Sequence, residues 1–185
     1  MNIQTETING ITLDVIQDTV SAIQKEPERG RCKFRVKNRW RGGTINQSSI
    51  YDYHANNEEM THADEFELES DEPPMLGGED ADPNPVEYLL HALASCVTTS
   101  MIAHAADRGI EIEELESEVE GDIDLRGFLG IEASVPRGFT DIRVNFKAKT
   151  NEKNLRRLKE LADFSPVLNT IANGARVTVH VAPAS

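Results

Sequence analysis

The residues of this sequence best suited to chemistry are its two cysteines, Cys32 and Cys96. A thiol acts as a nucleophile through its thiolate, and what surrounds it decides whether that form is used. Cys96 stands in Ala92-Leu93-Ala94-Ser95-Cys96-Val97-Thr98-Thr99-Ser100, a run that is apolar or small on every side. Free cysteine is often no more than a small buried hydrophobe, so two readings of Cys96 stand open: packed side chain or reactive thiol. Ser100, one helical turn on, could bond a thiolate or its own helix backbone. His91 and His104 do not form a zinc-ligand spacing with Cys96 and read as surface or interface histidines. No Gly-x-Ser-x-Gly elbow supports a hydrolytic serine, and no motif supports an acyl-forming role for Cys96.

The element that must position Cys96 is a long helix with a complete start signal. Asn84-Pro85-Val86-Glu87 supplies a side-chain cap, a proline at the first helical position, and a glutamate able to return a bond to the Asn84 N–H. Val86, Leu89, Leu90, Leu93, Val97, Met101 and Ala105 follow at helical spacing, and Gly109 is placed to end the helix. So uniform a middle predicts a helix buried all round. The best partner for its small residues is a second copy of itself in a homodimer.

The rest of the chain reads as α+β. Ile11 to Lys25 carries a helical stripe that Pro27 and Gly30 end. Cys32 to Trp40 alternates Phe34, Val36 and Trp40 against basic residues, predicting one half-buried strand with Cys32 packed in or near the core. Gly42-Gly43 reads as a turn, Thr44 to Tyr53 as its hairpin partner, and Glu65 to Glu69 as a third short strand. Residues 58–82, dense in carboxylates, read as mostly solvated loop. Glu111 to Asp124 and Phe139 to Lys149 alternate as two further strands. Thr150 or Asn151 caps a helix through Asp163, and Ser165-Pro166 opens a last helix ending at Gly174. Val177, Val179 and Val181 form a final strand. Runs of strands joined by short turns imply antiparallel sheets rather than βαβ units.

Composition narrows the function. The 185 residues carry 32 acidic and 19 basic side chains, a net charge of -13, which repels phosphate backbones and anionic headgroups. No nucleic-acid and no membrane partner is expected. Met1 to Gly10 lacks the apolar core of a signal peptide, and no apolar run reaches the roughly 18 residues that span a bilayer. Two cysteines do not make a secreted disulfide framework, so the expectation is a cytoplasmic chain with reduced thiols.

The segment from Gly77-Gly78 to Ala106, above all Asn84-Pro85 through Cys96, resembles the central helix of the OsmC/Ohr family, which includes osmotically inducible protein C and the organic hydroperoxide resistance proteins. Ser165-Pro166-Val167, a short helix and a valine-rich strand complete the pattern, so that residues 31–185 form the family domain and residues 1–30 a helical extension. The resemblance implies an intertwined homodimer, with two central helices between sheets built from both chains and sites at the interface. No cofactor and no metal is expected. Active members use two cysteines: the first thiolate attacks a hydroperoxide and becomes a sulfenic acid. The second condenses with it to a disulfide, which an external thiol reductant opens. Cys96 matches the first cysteine. A family arginine from the early strands, matched by Arg41 or by Arg39, stabilises the thiolate.

Two positions depart from that pattern. Ser165 stands where the resolving cysteine belongs and cannot form a disulfide; it reads as a helix cap. The family glutamate directly after Asn-Pro is Val86 here, with Glu87 one place later. Glu87 lies nine positions before Cys96, on the opposite helix face, and capping is its simpler role. Two functions are consistent with these changes. One is a one-cysteine reductase of organic hydroperoxides resolved by an external thiol. The other is a non-catalytic dimer that binds a small apolar ligand or senses oxidants.

Overall fold

Asn-Gly and Asn-Asn pairs, which tolerate positive φ at both turn residues, fold the first part of the chain back on itself. The computed structural model describes residues 6–183, so residues 1–5 of the polar Met1–Gly10 stretch lie outside the described residues. The chain forms two units that divide between Leu90 and His91. In the first, Asn9 and Gly10 (φ 52° and 77°) join β1 (Thr7–Ile8) to β2 (Ile11–Thr12) in a hairpin whose second strand takes up the first two residues of the stretch expected to be helical. Helix α1 (Leu13–Lys25) follows directly. Of its apolar stripe Leu13 is buried, whereas Val15 and Val20 are exposed.

The main sheet of this unit is antiparallel throughout. Strand β5 (Ile45–Ala55) pairs with β3 (Lys33–Phe34), with β4 (Lys37–Gly42) and with β6 (Glu58–Ser70). Two sequence expectations are corrected here. The single strand from Cys32 to Trp40 is two pieces interrupted at Arg35-Val36; Arg35 is drawn into a fork with Glu59 (2.7 and 3.0 Å) and Asp52 (3.0 Å). Its apolar set is not buried: Phe34 is 76% and Trp40 69% exposed, and Cys32 is exposed outside the strand. The second correction concerns residues 58–82, half of which are β6 rather than loop. Pairing across Asn56-Asn57 outweighs the dense carboxylates because β5 offers a full-length partner edge.

The second unit builds the core. Strands β7 (Glu114–Ile123) and β8 (Phe139–Lys149) pair in register, with Leu115↔Ala148, Val119↔Val144 and Gly121↔Ile142 on one face and the β7 carboxylates on the other. A short helix α3 (Leu125–Phe128), unforeseen, caps itself through Asp124. Helix α4 (Glu152–Ala162) begins at the predicted Asn151, whose side chain accepts from the Asn154 N–H. Helix α5 (Pro166–Asn173) begins at Ser165. Leu93, Val97, Met101 and Ala105 of the central helix α2 (Pro85–Asp107) pack with Ile110, Leu158 and Leu161.

Three expectations for this unit also change. Helix α2 is buried along one face rather than all round; Leu89, Ser95 and Thr99 are exposed. By length and composition α2 is long and apolar enough to cross a membrane, against the sequence count, yet its buried face packs as a core helix does. The final valine strand is not formed. Residues 174–183 have no regular structure, and Val177, Val179 and Val181 are 82%, 80% and 94% exposed. A strand needs a neighbour for its backbone groups, and among the described residues this segment pairs with none.

A cysteine helix and its supports

Cys96 is held by a helix whose first turn is closed from both directions. The Asn84 side chain accepts from the Glu87 N–H (2.9 Å), and the Glu87 carboxylate accepts from the Asn84 N–H (2.8 Å). The capping box read from sequence is therefore present, and it occupies Glu87 fully. Gly109, at φ 64°, follows the last turn in the left-handed conformation. Cys96 lies mid-helix, half-buried and unpaired, with buried Val97 beside it and half-buried Ser100 one turn on.

The loop entering this helix is fastened by a residue that sequence reasoning missed. Asp71 is buried, accepts from the Thr44 hydroxyl, and accepts from the backbone N–H groups of Glu79 (2.9 Å) and Ala81 (3.3 Å). The Thr44 hydroxyl, and after it the backbone donors, hold its carboxyl well below the usual carboxylate range. Gly78 is required at the same place: a Cβ there would sit 1.7 Å from the Glu72 carbonyl oxygen. Asp71 was hidden among surface carboxylates. The available signal was its position two residues before Pro73-Pro74 and shortly before Gly77-Gly78, where a crowded backbone needs an acceptor.

Arg39 and Arg41 lie on β4 of the first unit, and Cys96 lies in the second. Arg41 sits at the irregularity between Trp40 and Gly42, just before the Gly42-Gly43 turn, which the Trp40 indole closes by donating to the Gly43 carbonyl (2.9 Å). Arg39 lines a polar groove with Lys37, Gln47, Ser49 and Glu67. Among the described residues neither Arg39 nor Arg41 has an ion-pair partner, whereas Arg35 is committed to two carboxylates, its pKa raised first by Glu59. Only Arg39 and Arg41 of this group are thus free to meet an incoming anion.

Ser165 is fully buried, and its hydroxyl accepts from the Leu168 N–H (3.2 Å). That is the capping role expected of it. His91 is exposed. His104 packs on Phe164 with ring centroids 4.0 Å apart, and the Arg108 guanidinium lies 5.4 Å from the same ring. Burial, then the Arg108 charge, pushes the His104 pKa down. Among the described residues no group of His, Cys, Asp and Glu side chains could hold a metal ion. Beside α2, in the second unit, an apolar cavity of about 420 Å³ opens between α2, the β7–β8 sheet and α4.

Comparison with known proteins agrees with this arrangement. Residues 77–180 match the family described as OsmC-like protein. No curated protein matches the chain. Among solved structures, the chain is similar to an OsmC-like protein from Mycoplasma pneumoniae, with a TM-score of 0.58 at 16% identity, covering 77% of this chain and 89% of that one. It is similar to an OsmC-like protein of unknown function from Vibrio cholerae, with a TM-score of 0.54 at 12% identity over 75% and 92%. It is also similar to an organic hydroperoxide resistance protein OsmC from Legionella pneumophila, with a TM-score of 0.52 at 18% identity over 75% and 89%. At these identities the structures speak for the fold, while the family match spans more than half of the sequence. The capped helix carrying Cys96, the antiparallel sheets and the Ser165-Pro166 helix are thus features of a chain that belongs to the OsmC-like protein family.

Proposed function

We propose that the protein is a one-cysteine reductase of organic hydroperoxides, with Cys96 as the reacting thiol. The observation that carries this reading is a free, half-buried Cys96 on a rigidly capped helix of an OsmC-like chain. The Cys96 thiolate attacks the terminal peroxide oxygen. An S–O bond forms, the O–O bond breaks, and the alkoxide leaves as an alcohol with the proton the thiol gave up. Cys96 is then a sulfenic acid. An external dithiol condenses with it, releasing water and forming a mixed disulfide. The second external sulfur displaces Cys96 as thiolate and closes the reductant's own disulfide. Arg41, or Arg39 beside it, would stabilise the thiolate and orient the peroxide. A homodimer is part of the reading, because the exposed Phe34, Trp40 and C-terminal valines require cover and the valine segment requires a strand partner.

A second reading is supported by Ser165 and Val86. With the resolving position filled by a buried cap and Glu87 tied to Asn84, the fold would persist as a non-catalytic dimer that holds a small apolar ligand or senses oxidants. Turnover separates the two. Purified protein is given cumene hydroperoxide with dithiothreitol or a lipoyl-type dithiol. Many equivalents consumed by the wild type and none by Cys96→Ser would support the reductase. Consumption that stops at one equivalent or less would leave the non-catalytic dimer.

A further inference from the structure

We infer that the apolar cavity of the second unit is a binding site for a medium-chain carboxylate amphiphile, a free fatty acid, with Lys159 receiving the carboxylate. Its walls are the side chains of Val97 and Met101 on α2, Val144 and Phe146 on β8, and Leu155 on α4. The volume, about 420 Å³, falls within the range of small-ligand sites. The one charged group on this wall is Lys159. It stands four residues after Leu155 and three before Ala162, on the stripe of α4 where the helical pattern calls for an apolar residue. Among the described residues Lys159 has no ion-pair partner, whereas Lys147 and Lys149 on the neighbouring strand are each paired with carboxylates. A lysine stem lying along apolar surface with its ammonium at the rim presents a cation to one end of the cavity. In a chain of net charge -13, an unpaired cation at an apolar mouth selects an anion with an apolar tail over a neutral or cationic one. Leu155 is 44% exposed and Phe146 is half-buried, so the cavity is reachable from solvent. This site does not involve the Cys96 sulfur and stands whether or not Cys96 turns over peroxide.

Titration calorimetry with decanoate, decan-1-ol and decylammonium tests it. The wild type binds decanoate tightest. Lys159→Glu weakens decanoate by about tenfold or more and shifts preference to decylammonium, as a reversed charge at the contact requires. Ala162→Phe, which fills the cavity without removing a core side chain, abolishes decanoate binding while the circular dichroism spectrum is kept. Cys96→Ser leaves decanoate affinity unchanged. Equal affinity of the wild type for all three ligands, no decanoate binding below its micellar range, or undiminished decanoate binding by Lys159→Glu would each overturn the assignment.

Discussion

At the scale of single residues, several side chains that look alike in sequence do different things. Glu87 and Asp71 are both carboxylates near the start of α2. The first closes a capping box and the second fastens the preceding loop from a buried position. Replacing Asn84 with alanine should cost about 1 kcal/mol in urea unfolding. Glu87→Gln, which still accepts the Asn84 N–H, should leave the pH dependence of Cys96 alkylation unchanged; a shifted profile would give Glu87 an electrostatic role toward the thiol. For Asp71 the sign follows from its depressed folded pKa. Its stabilising contribution is fully present above the ordinary aspartate value near 4 and is lost as pH falls below it toward the folded value. The wild-type advantage over Asp71→Asn in urea midpoint should therefore be largest at pH 7 and measurably smaller, though not closed, at pH 3. A constant gap would contradict this.

At the scale of elements, the legible parts were those whose signal is local. The start of α2, the caps at Asn151 and Ser165, and the alternation of β7 and β8 need only neighbours in sequence, and each is where its residues place it. The acidic run was misread because charge was weighed as if solvation alone decided it, whereas β6 is recruited by the long edge of β5. The split of the first strand turns on Arg35 reaching Asp52 and Glu59 from distant positions, which no local pattern shows. Helix α4 supplies a direct test of the core. Leu158 is 4% exposed among Val97, Met101 and Leu161, so Leu158→Ala should cost roughly 2–5 kcal/mol. At roughly 2–4 °C per kcal/mol the melting temperature should fall well beyond measurement error.

At the scale of the whole molecule, the sequence signals left unmet are alternating apolar segments that stay exposed in the single chain. The valine run alternates as a strand does, yet it lies unpaired and exposed, and the apolar residues of β3 and β4 are exposed as well. Both are the surfaces that a second copy would cover in the proposed dimer. Sedimentation should give a species of twice 20.5 kDa at micromolar concentration, and Val179→Asp should shift it toward monomer. A wild-type monomer under those conditions would remove the dimer from the proposal. The site was legible in the same uneven way. Cys96 and its helix follow from sequence, while Arg39 and Arg41 stand on a strand of the other unit and no local pattern pairs either with the thiol. The most direct test of the central claim is to trap the oxidised thiol. Reduced wild-type protein is treated with one equivalent of cumene hydroperoxide in the presence of dimedone and mapped by peptide mass spectrometry. The reductase reading predicts a single dimedone adduct on Cys96, absent from Cys96→Ser and unaffected by Cys32→Ser; an adduct on Cys32 alone, or none on either cysteine, would contradict it.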